Sequence, residues 1–105
     1  MKQHLETLLR RAVAELQAVG RLPAGEMRAF EIDRTRSKDH GDFASNIALV
    51  LAKAIGRKPR ELAQDILNLV PSSEYVERIE IAGPGFINFY LRAAALRAVV
   101  REILT

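Results

Sequence analysis

Apolar residues recur at three- and four-residue intervals over the first twenty positions, and this spacing predicts an amphipathic helix that ends near Val19. Its expected buried stripe is Leu5, Leu8, Leu9, Ala12, Val13, Leu16 and Val19. Gly20 is placed to terminate the helix, and Pro23 follows as a further stop. Apolar and polar residues then alternate from Ala29 to Arg34, which predicts a short, half-buried strand followed by a polar loop.

Two further helices are predicted after the polar loop. Asp42 is expected to cap the first of them by accepting backbone N–H groups of its first turn. Because this helix is apolar on almost every side, it is predicted to be the most buried of all. Its expected inward face is Ala44, Ile47, Ala48, Leu51, Ala54 and Ile55. Gly56 ends it, and Pro59 suits the first position of the next helix, which is predicted to extend to Leu69.

Two alternating runs joined by Gly83-Pro84-Gly85 predict a β-hairpin in the last third of the chain. Successive side chains of a strand point to opposite faces of the sheet. The residues expected to enter the core are Ile87, Phe89 and Leu91. Phe86, Asn88 and Tyr90 are then expected to face outward together. An aromatic ring beside an amide on an open strand can stack on a nucleic-acid base and hydrogen-bond its edge.

A last helix is predicted from Ala93 to Leu104. The element order is therefore α-β-α-α-β-β-α, an α+β fold in which helices pack on one face of a small antiparallel sheet of three or four strands. A chain of 105 residues, 49% of them hydrophobic, suits a single domain, residues 1–105, with one modest core. Because the last helix reaches Thr105 without a glycine cap, a proline stop or a polar tail, we interpret the chain as part of something longer.

Composition narrows the possible functions. The chain has no cysteine, no leader-like segment and no apolar run long enough for a membrane span, so a cytoplasmic protein without a membrane partner is expected. The two histidines, His4 and His40, form no triad pattern, and His40 with its acidic neighbours Asp39 and Asp42 is a poor metal site. A Gly-Pro-Gly turn leading into a strand also lacks the N–H groups of a phosphate loop. The chain by itself is therefore predicted to be non-catalytic, without metal or cofactor.

Positive charge is concentrated in one segment, although the net charge is only +3. Residues 34–60 contain seven cationic and two acidic residues, a local charge of +5. The cations are Arg34, Arg36, Lys38, Lys53, Arg57, Lys58 and Arg60. A cluster of this size can attract a polyanion, while the same charges also suit an ordinary solvated surface.

Two motifs carry a resemblance to a known family: His40-Gly-Asp-Phe-Ala-Ser-Asn-Ile-Ala-Leu49 and Ala82-Gly-Pro-Gly-Phe-Ile-Asn-Phe89. With the amphipathic first helix, the chain resembles the N-terminal domain of arginyl-tRNA synthetase over nearly its whole length. The resemblance implies an α+β module that precedes a class I catalytic domain and contacts the D-loop at the elbow of tRNA(Arg). It also implies that Phe86 stacks on a flipped-out D-loop base and that Asn88 reads the edge of that base.

The predicted tRNA-binding residues are Phe86, Asn88, Gly83, Arg36 and Lys38. Cationic side chains of the Arg34 to Lys38 loop and of neighbouring helix ends are expected to contact phosphates. Within the first motif, Asp42 is expected to cap, Phe43 to anchor the loop, and Asn46 to tie its helix to the hairpin backbone.

The family's catalytic signatures, of the His-Ile-Gly-His and Lys-Met-Ser-Lys types, do not occur in this sequence. ATP and Mg²⁺ are therefore implied only for a full-length class I synthetase, whose catalytic domain is a second expected partner. The alternative interpretation is a protein-interaction module, in which exposed Phe86 and Tyr90 dock on the rest of a larger chain. The sequence indicates no oligomeric state.

Overall fold

The computed structural model describes residues 1–25, 28–36 and 38–97, and it places helices on one face of a four-stranded sheet. The helices are α1 (Lys2–Ala18), α2 (Ile47–Ile55) and α3 (Pro59–Leu69). The strands are β1 (Ile32–Arg34), β2 (Phe43–Ser45), β3 (Val76–Ala82) and β4 (Phe86–Leu91). A single 3-10 turn, Lys38–His40, precedes β2, and residues 93–97 are helical. The remainder of the predicted last helix lies outside the described residues.

The sheet is antiparallel throughout, in the order β1-β2-β4-β3. The predicted α+β class is therefore confirmed, and the sheet has four strands where three or four were predicted. The fourth strand is β2, which pairs with β1 on one side and β4 on the other. Its three residues had been predicted to lie at the start of a helix, because three residues are too few to establish an alternating pattern.

Helix α1 supplies the largest part of the core. Six members of its predicted stripe are buried: Leu5, Leu8, Leu9, Ala12, Val13 and Leu16. Val19 was predicted to join them, but it is 61% exposed. The helix ends at Ala18, and Val19 belongs to the turn that leads to Gly20. Because the helix has ended, the side chain of Val19 no longer points to the buried face of α1.

Two predictions about α2 were wrong. The helix begins at Ile47, and the carboxylate of Asp42 caps nothing there but accepts a hydrogen bond from the backbone N–H of Leu91 at 2.8 Å. The strand β2 separates Asp42 from the helix and carries it to the edge of β4. Nor is α2 the most buried helix, since Ile47, Ala48 and Ala52 are buried while its other described apolar residues are half-buried or exposed. Part of its all-apolar surface therefore stays in contact with water.

Asn46 connects the start of α2 to the chain just before β1. Its side-chain oxygen accepts from the backbone N–H of Glu31 at 2.8 Å, and its own N–H donates to the Glu31 carbonyl at 3.3 Å. The predicted tie to the hairpin backbone was therefore wrong, because β2 places Asn46 beside β1. We expect Asn46→Ala to lower the free energy of unfolding by about 1 kcal/mol, the usual value of one such hydrogen bond. Urea denaturation followed by circular dichroism measures it, and an unchanged midpoint would contradict the assignment.

The alternation predicted for β4 is observed in the register of the sheet. Ile87 and Phe89 are fully buried against the helices, and Leu91 is nearly so. Phe86, Asn88 and Tyr90 lie on the opposite face, each paired with a residue of β3: Ala82, Glu80 and Arg78. No helix covers this outer face within the described residues. None of the helices in the described part of the chain is long and apolar enough to span a membrane.

Candidate nucleic-acid interface

A cavity of about 510 Å³ opens on the outer face of the sheet. One wall is formed by Glu31 and residues 33–36, which lie in β1 and beside it, together with His40. The other wall is the hairpin turn, residues 82–84, with Phe86 at its rim. Ala44 and Asn88, which are paired across β2 and β4, form the floor between the two walls. The two motifs that carry the family resemblance therefore meet at one surface.

Phe86 lies at the rim of the cavity and is 39% exposed, in agreement with the outward orientation predicted for it. The edge of its ring lies beside Gly83, because a Cβ placed on that glycine would be 4.0 Å from Phe86 Cδ2. Gly83 therefore adjoins the ring and contributes backbone, without a side chain, to the wall. A large aromatic face left in water at the edge of a cavity is available for stacking.

Asn88 departs from the expectation that it projects into solvent. The side chain is on the predicted face, but it is only 3% exposed, because neighbouring strands and the cavity walls enclose it. Within the described residues nothing hydrogen-bonds its carboxamide, and no fully enclosed side-chain nitrogen or oxygen there is left without a partner. The carboxamide therefore reaches the cavity at its floor. Its donors and acceptor are therefore accessible to a ligand that enters the cavity.

Arg34, Arg36 and His40 line the cavity at the end farther from the hairpin turn. Among the described residues neither arginine forms an ion pair, so their charge is available to a ligand. Asp33, on the same wall, lies 3.8 Å from the ammonium group of Lys2. The backbone of Lys38 lies in the 3-10 turn beside this end, while its side chain is outside the described residues. Of the predicted site residues, Arg36 of the loop and Gly83, Phe86 and Asn88 of the hairpin are thus brought to the same cavity.

The cationic loop is fixed to β4 by backbone contacts that the sequence did not predict. Gly41 has φ +79°, and a Cβ on it would lie 2.6 Å from the Phe89 carbonyl oxygen, so a side chain is excluded. The N–H of Asp42 donates to the same carbonyl at 2.8 Å. The Thr35 hydroxyl donates to the Gly41 carbonyl, which closes the loop on itself. Only the pairing of β2 with β4 makes these contacts possible.

Tyr90 faces outward as predicted, but its groups are used within the fold. Its hydroxyl donates to the carbonyl of Asp39 at 2.8 Å, and the guanidinium of Arg78 lies 4.0 Å from the ring centroid. Partial desolvation, and secondarily the nearby Glu80 carboxylate, raise the pKa of the Tyr90 phenol. The hydroxyl therefore stays protonated and supports the 3-10 turn, and Phe86 is the aromatic residue left open at the cavity.

The hairpin turn rests on the first residues of α3. The N–H of Gly85 donates to the Ala82 carbonyl at 3.2 Å, which confirms the predicted tight turn. Gly85 has φ +143°, and a Cβ on it would lie 2.8 Å from Pro59 Cβ, so the turn and the helix touch through backbone. Arg60 donates a hydrogen bond to the Gly83 carbonyl. The position of the Phe86 ring is therefore supported from the helix side, which sequence reasoning missed.

The fold and the surface together define a small α+β domain whose open sheet face has a cavity with an exposed aromatic ring at its rim and an amide at its floor. Its walls carry two arginines, Arg34 and Arg36, beside two carboxylates, Glu31 and Asp33. The family profile described as the arginyl tRNA synthetase N-terminal domain matches residues 3–91. The chain belongs to this family, as the resemblance in the two motifs predicted.

Individual relatives agree with the family. The chain is 49% identical over 105 residues to the arginine–tRNA ligase of Acidithiobacillus ferrooxidans, and 48% identical over 96 residues to that of Shewanella sp. strain ANA-3. It spans 18% and 16% of the length of these two proteins. The arginyl-tRNA synthetase of Thermus thermophilus superposes on the whole chain with a TM-score of 0.69 at 27% identity, over 16% of its own length. The Plasmodium falciparum enzyme shares the fold, with a TM-score of 0.71 at 14% identity, over 18% of its length.

Proposed function

We propose that this domain holds the D-loop of tRNA(Arg) and positions the tRNA for arginylation by a catalytic domain of the same chain. The observation that carries the proposal is the Asn88 carboxamide at the floor of a cavity edged by Phe86: the residue is only 3% exposed, and its carboxamide forms no hydrogen bond with the described residues. Such an amide offers a donor and an acceptor side by side, the arrangement that the edge of a base can match.

In the proposed complex, a base that has left its stack enters the cavity and lies against the Phe86 ring. The cavity volume of about 510 Å³ is within the range of small-ligand sites, so a single base fits without rearrangement of the sheet. RNA is read most specifically in loops, because unstacked bases expose their edges there. Asn88 then hydrogen-bonds the edge from the floor, and Gly83 allows the RNA to approach the turn closely.

Arg34 and Arg36 supply phosphate contacts at the loop end of the cavity, and we assign the same role to Lys38. These contacts give affinity and orientation, while the base contacts give specificity. Recognition by the domain involves no covalent chemistry. In this proposal ATP and Mg²⁺ act only in the catalytic domain, which arginine–tRNA ligase relatives contain in their remaining length.

The alternative function, docking of an apolar surface on another protein, is favoured by the half-exposed apolar residues of α2. It does not account for the cavity. An apolar partner would leave the Asn88 carboxamide buried without hydrogen bonds, which costs roughly 1–3 kcal/mol. The outer sheet face therefore suits a ligand with hydrogen-bonding groups better than an apolar one.

The test compares two transcripts of tRNA(Arg) for binding to the 105-residue chain by fluorescence anisotropy at low salt. One transcript keeps its D-loop, and in the other the loop is replaced by a minimal tetraloop on the same stem. We expect the second to bind no better than an unrelated RNA duplex. Equal binding of the two tRNA transcripts would exclude D-loop recognition.

A second prediction concerns salt. Arg36→Gln should reduce the slope of log affinity against log salt concentration by about 0.7, the value for one phosphate contact to a single strand. The matched control is Arg11→Gln, which removes an exposed cation from α1 on the helical side of the sheet. A slope that Arg36→Gln and Arg11→Gln leave equally unchanged would remove Arg36 from the interface.

A further inference from the structure

Two cations that do not line the cavity lie beside the hairpin turn, where it meets the start of α3, on the side away from the Arg34 and Arg36 loop. Lys58 is the N-cap residue of α3, and Arg60 is in its first turn. Pro59 between them touches Gly85, and Arg60 donates to the Gly83 carbonyl. Both cations are therefore next to the turn that carries the Phe86 ring.

The charges at this end are not neutralised by the fold. Lys58 and Arg60 are exposed, and neither forms an ion pair with a carboxylate of the described residues, Glu61 included. Their neighbour Arg57 is different, because it pairs with Asp65 at 2.9 Å. The fold thus pairs one cation of this segment internally and leaves the two beside the turn available.

The two cationic groups lie at opposite ends of β4. Arg34 pairs with Phe43, and Phe43 pairs with Phe89, near the C-terminal end of the strand. Lys58 and Arg60 adjoin the turn that precedes Phe86. Three residues of extended chain separate Phe86 from Phe89, roughly 10 Å, so one phosphate cannot contact both groups. An RNA strand whose base enters the cavity has a backbone that continues in both directions past these ends.

We propose that Lys58 and Arg60 form a second phosphate-binding group, which receives the RNA backbone on the turn side of the base in the cavity. The inference rests on the proposed function of the cavity. It assigns the RNA a path: one phosphate lies at the Arg34 and Arg36 loop, the base lies between Phe86 and the floor, and the next phosphates cross the Gly83-Pro84-Gly85 turn. Arg60 has two roles in this arrangement. One edge of its guanidinium holds the hairpin turn through the Gly83 carbonyl, and the other edge faces the RNA backbone.

The test measures the salt dependence of tRNA(Arg) binding to the 105-residue chain. Lys58→Gln should reduce the slope of log affinity against log salt by about 0.7, and the double variant Lys58→Gln with Arg60→Gln by about 1.4. The Lys58 side chain is exposed and forms no hydrogen bond or ion pair with the described residues, so its substitution is not expected to perturb folding, and circular dichroism verifies this for both variants. Arg11→Gln is the charge-matched control and should leave the slope unchanged.

The outcomes separate this inference from the proposed function. If the double variant binds more weakly with an unchanged slope, Arg60 only holds the turn and the second phosphate group is overturned. An equal fall in slope for Arg11→Gln also overturns it, since the effect is then one of net charge. If Arg36→Gln changes the slope but Lys58→Gln does not, only the second group fails. If the unaltered chain does not bind tRNA(Arg) at low salt, the proposed function itself fails.

Discussion

Replacing Phe86 with alanine should weaken binding of tRNA(Arg) by about 1–3 kcal/mol, or roughly 5- to 150-fold, because one base loses its stacking surface. The ring is 39% exposed, so its removal leaves no large cavity and should change the free energy of unfolding little. Anisotropy titration with the intact transcript measures the loss. The same titration with an unrelated RNA duplex should show almost none, because a duplex offers no unstacked base.

Phe86→Tyr is the matched control, since it preserves an aromatic face at the same rim position. It should retain most of the affinity that Phe86→Ala loses. Equal losses on tRNA(Arg) and on the duplex after Phe86→Ala would show that the ring only supports the hairpin. That result would also remove the base-stacking step from the proposed function.

Asn88→Leu should weaken binding with little loss of stability. Leucine has the same branched arrangement of side-chain heavy atoms as asparagine but no hydrogen-bonding group, so affinity for tRNA(Arg) should fall by roughly 1–3 kcal/mol, as for the loss of a two-bond base contact. The free energy of unfolding should fall by less than it does for Asn46→Leu, because the Asn88 substitution removes no hydrogen bond to the described residues. Anisotropy and urea denaturation measure the two quantities on the same preparation.

Asn46→Leu provides the comparison, because it removes an amide of the same kind from another part of the cavity wall. The oxygen of Asn46 is already used by the N–H of Glu31, so stability should fall in this variant. If Asn88→Leu instead destabilised the chain by the same amount, Asn88 would be a structural amide like Asn46. The cavity would then lack the group assigned to read the base.

Much of the fold could be predicted, because periodicity is local information. The stripe of α1 and the alternation of β4 each require only the spacing of apolar residues within one element, and both are observed. The Gly83-Pro84-Gly85 turn was equally predictable from its composition. Prediction failed for β2, because three residues are too few to show an alternating pattern. Since β2 was predicted as the start of a helix, Asp42 was wrongly predicted to cap that helix.

Within the candidate site, the sequence identified Phe86 and Asn88 correctly as residues of one strand face. It did not predict that Asn88 is enclosed, because its burial depends on Ala44 and Glu80, which pair with it from two other strands. Nor did it predict that Arg60 holds the turn or that Tyr90 supports the 3-10 turn. These contacts join segments 23 and 51 residues apart, and no local pattern encodes them.

The sequence by itself determined the class of fold, the directions of the apolar faces of α1 and β4, and the family. The tertiary structure alone decided which of the outward residues stay open to a ligand, because exposure depends on the strands and loops that pack around a side chain. It also decided how Asp42 is used, since its partner Leu91 is 49 residues away. The spacing of apolar residues determines to which face of its element a side chain points. The burial of that side chain and its hydrogen-bond partners depend on residues that are distant in sequence and meet only in the folded chain.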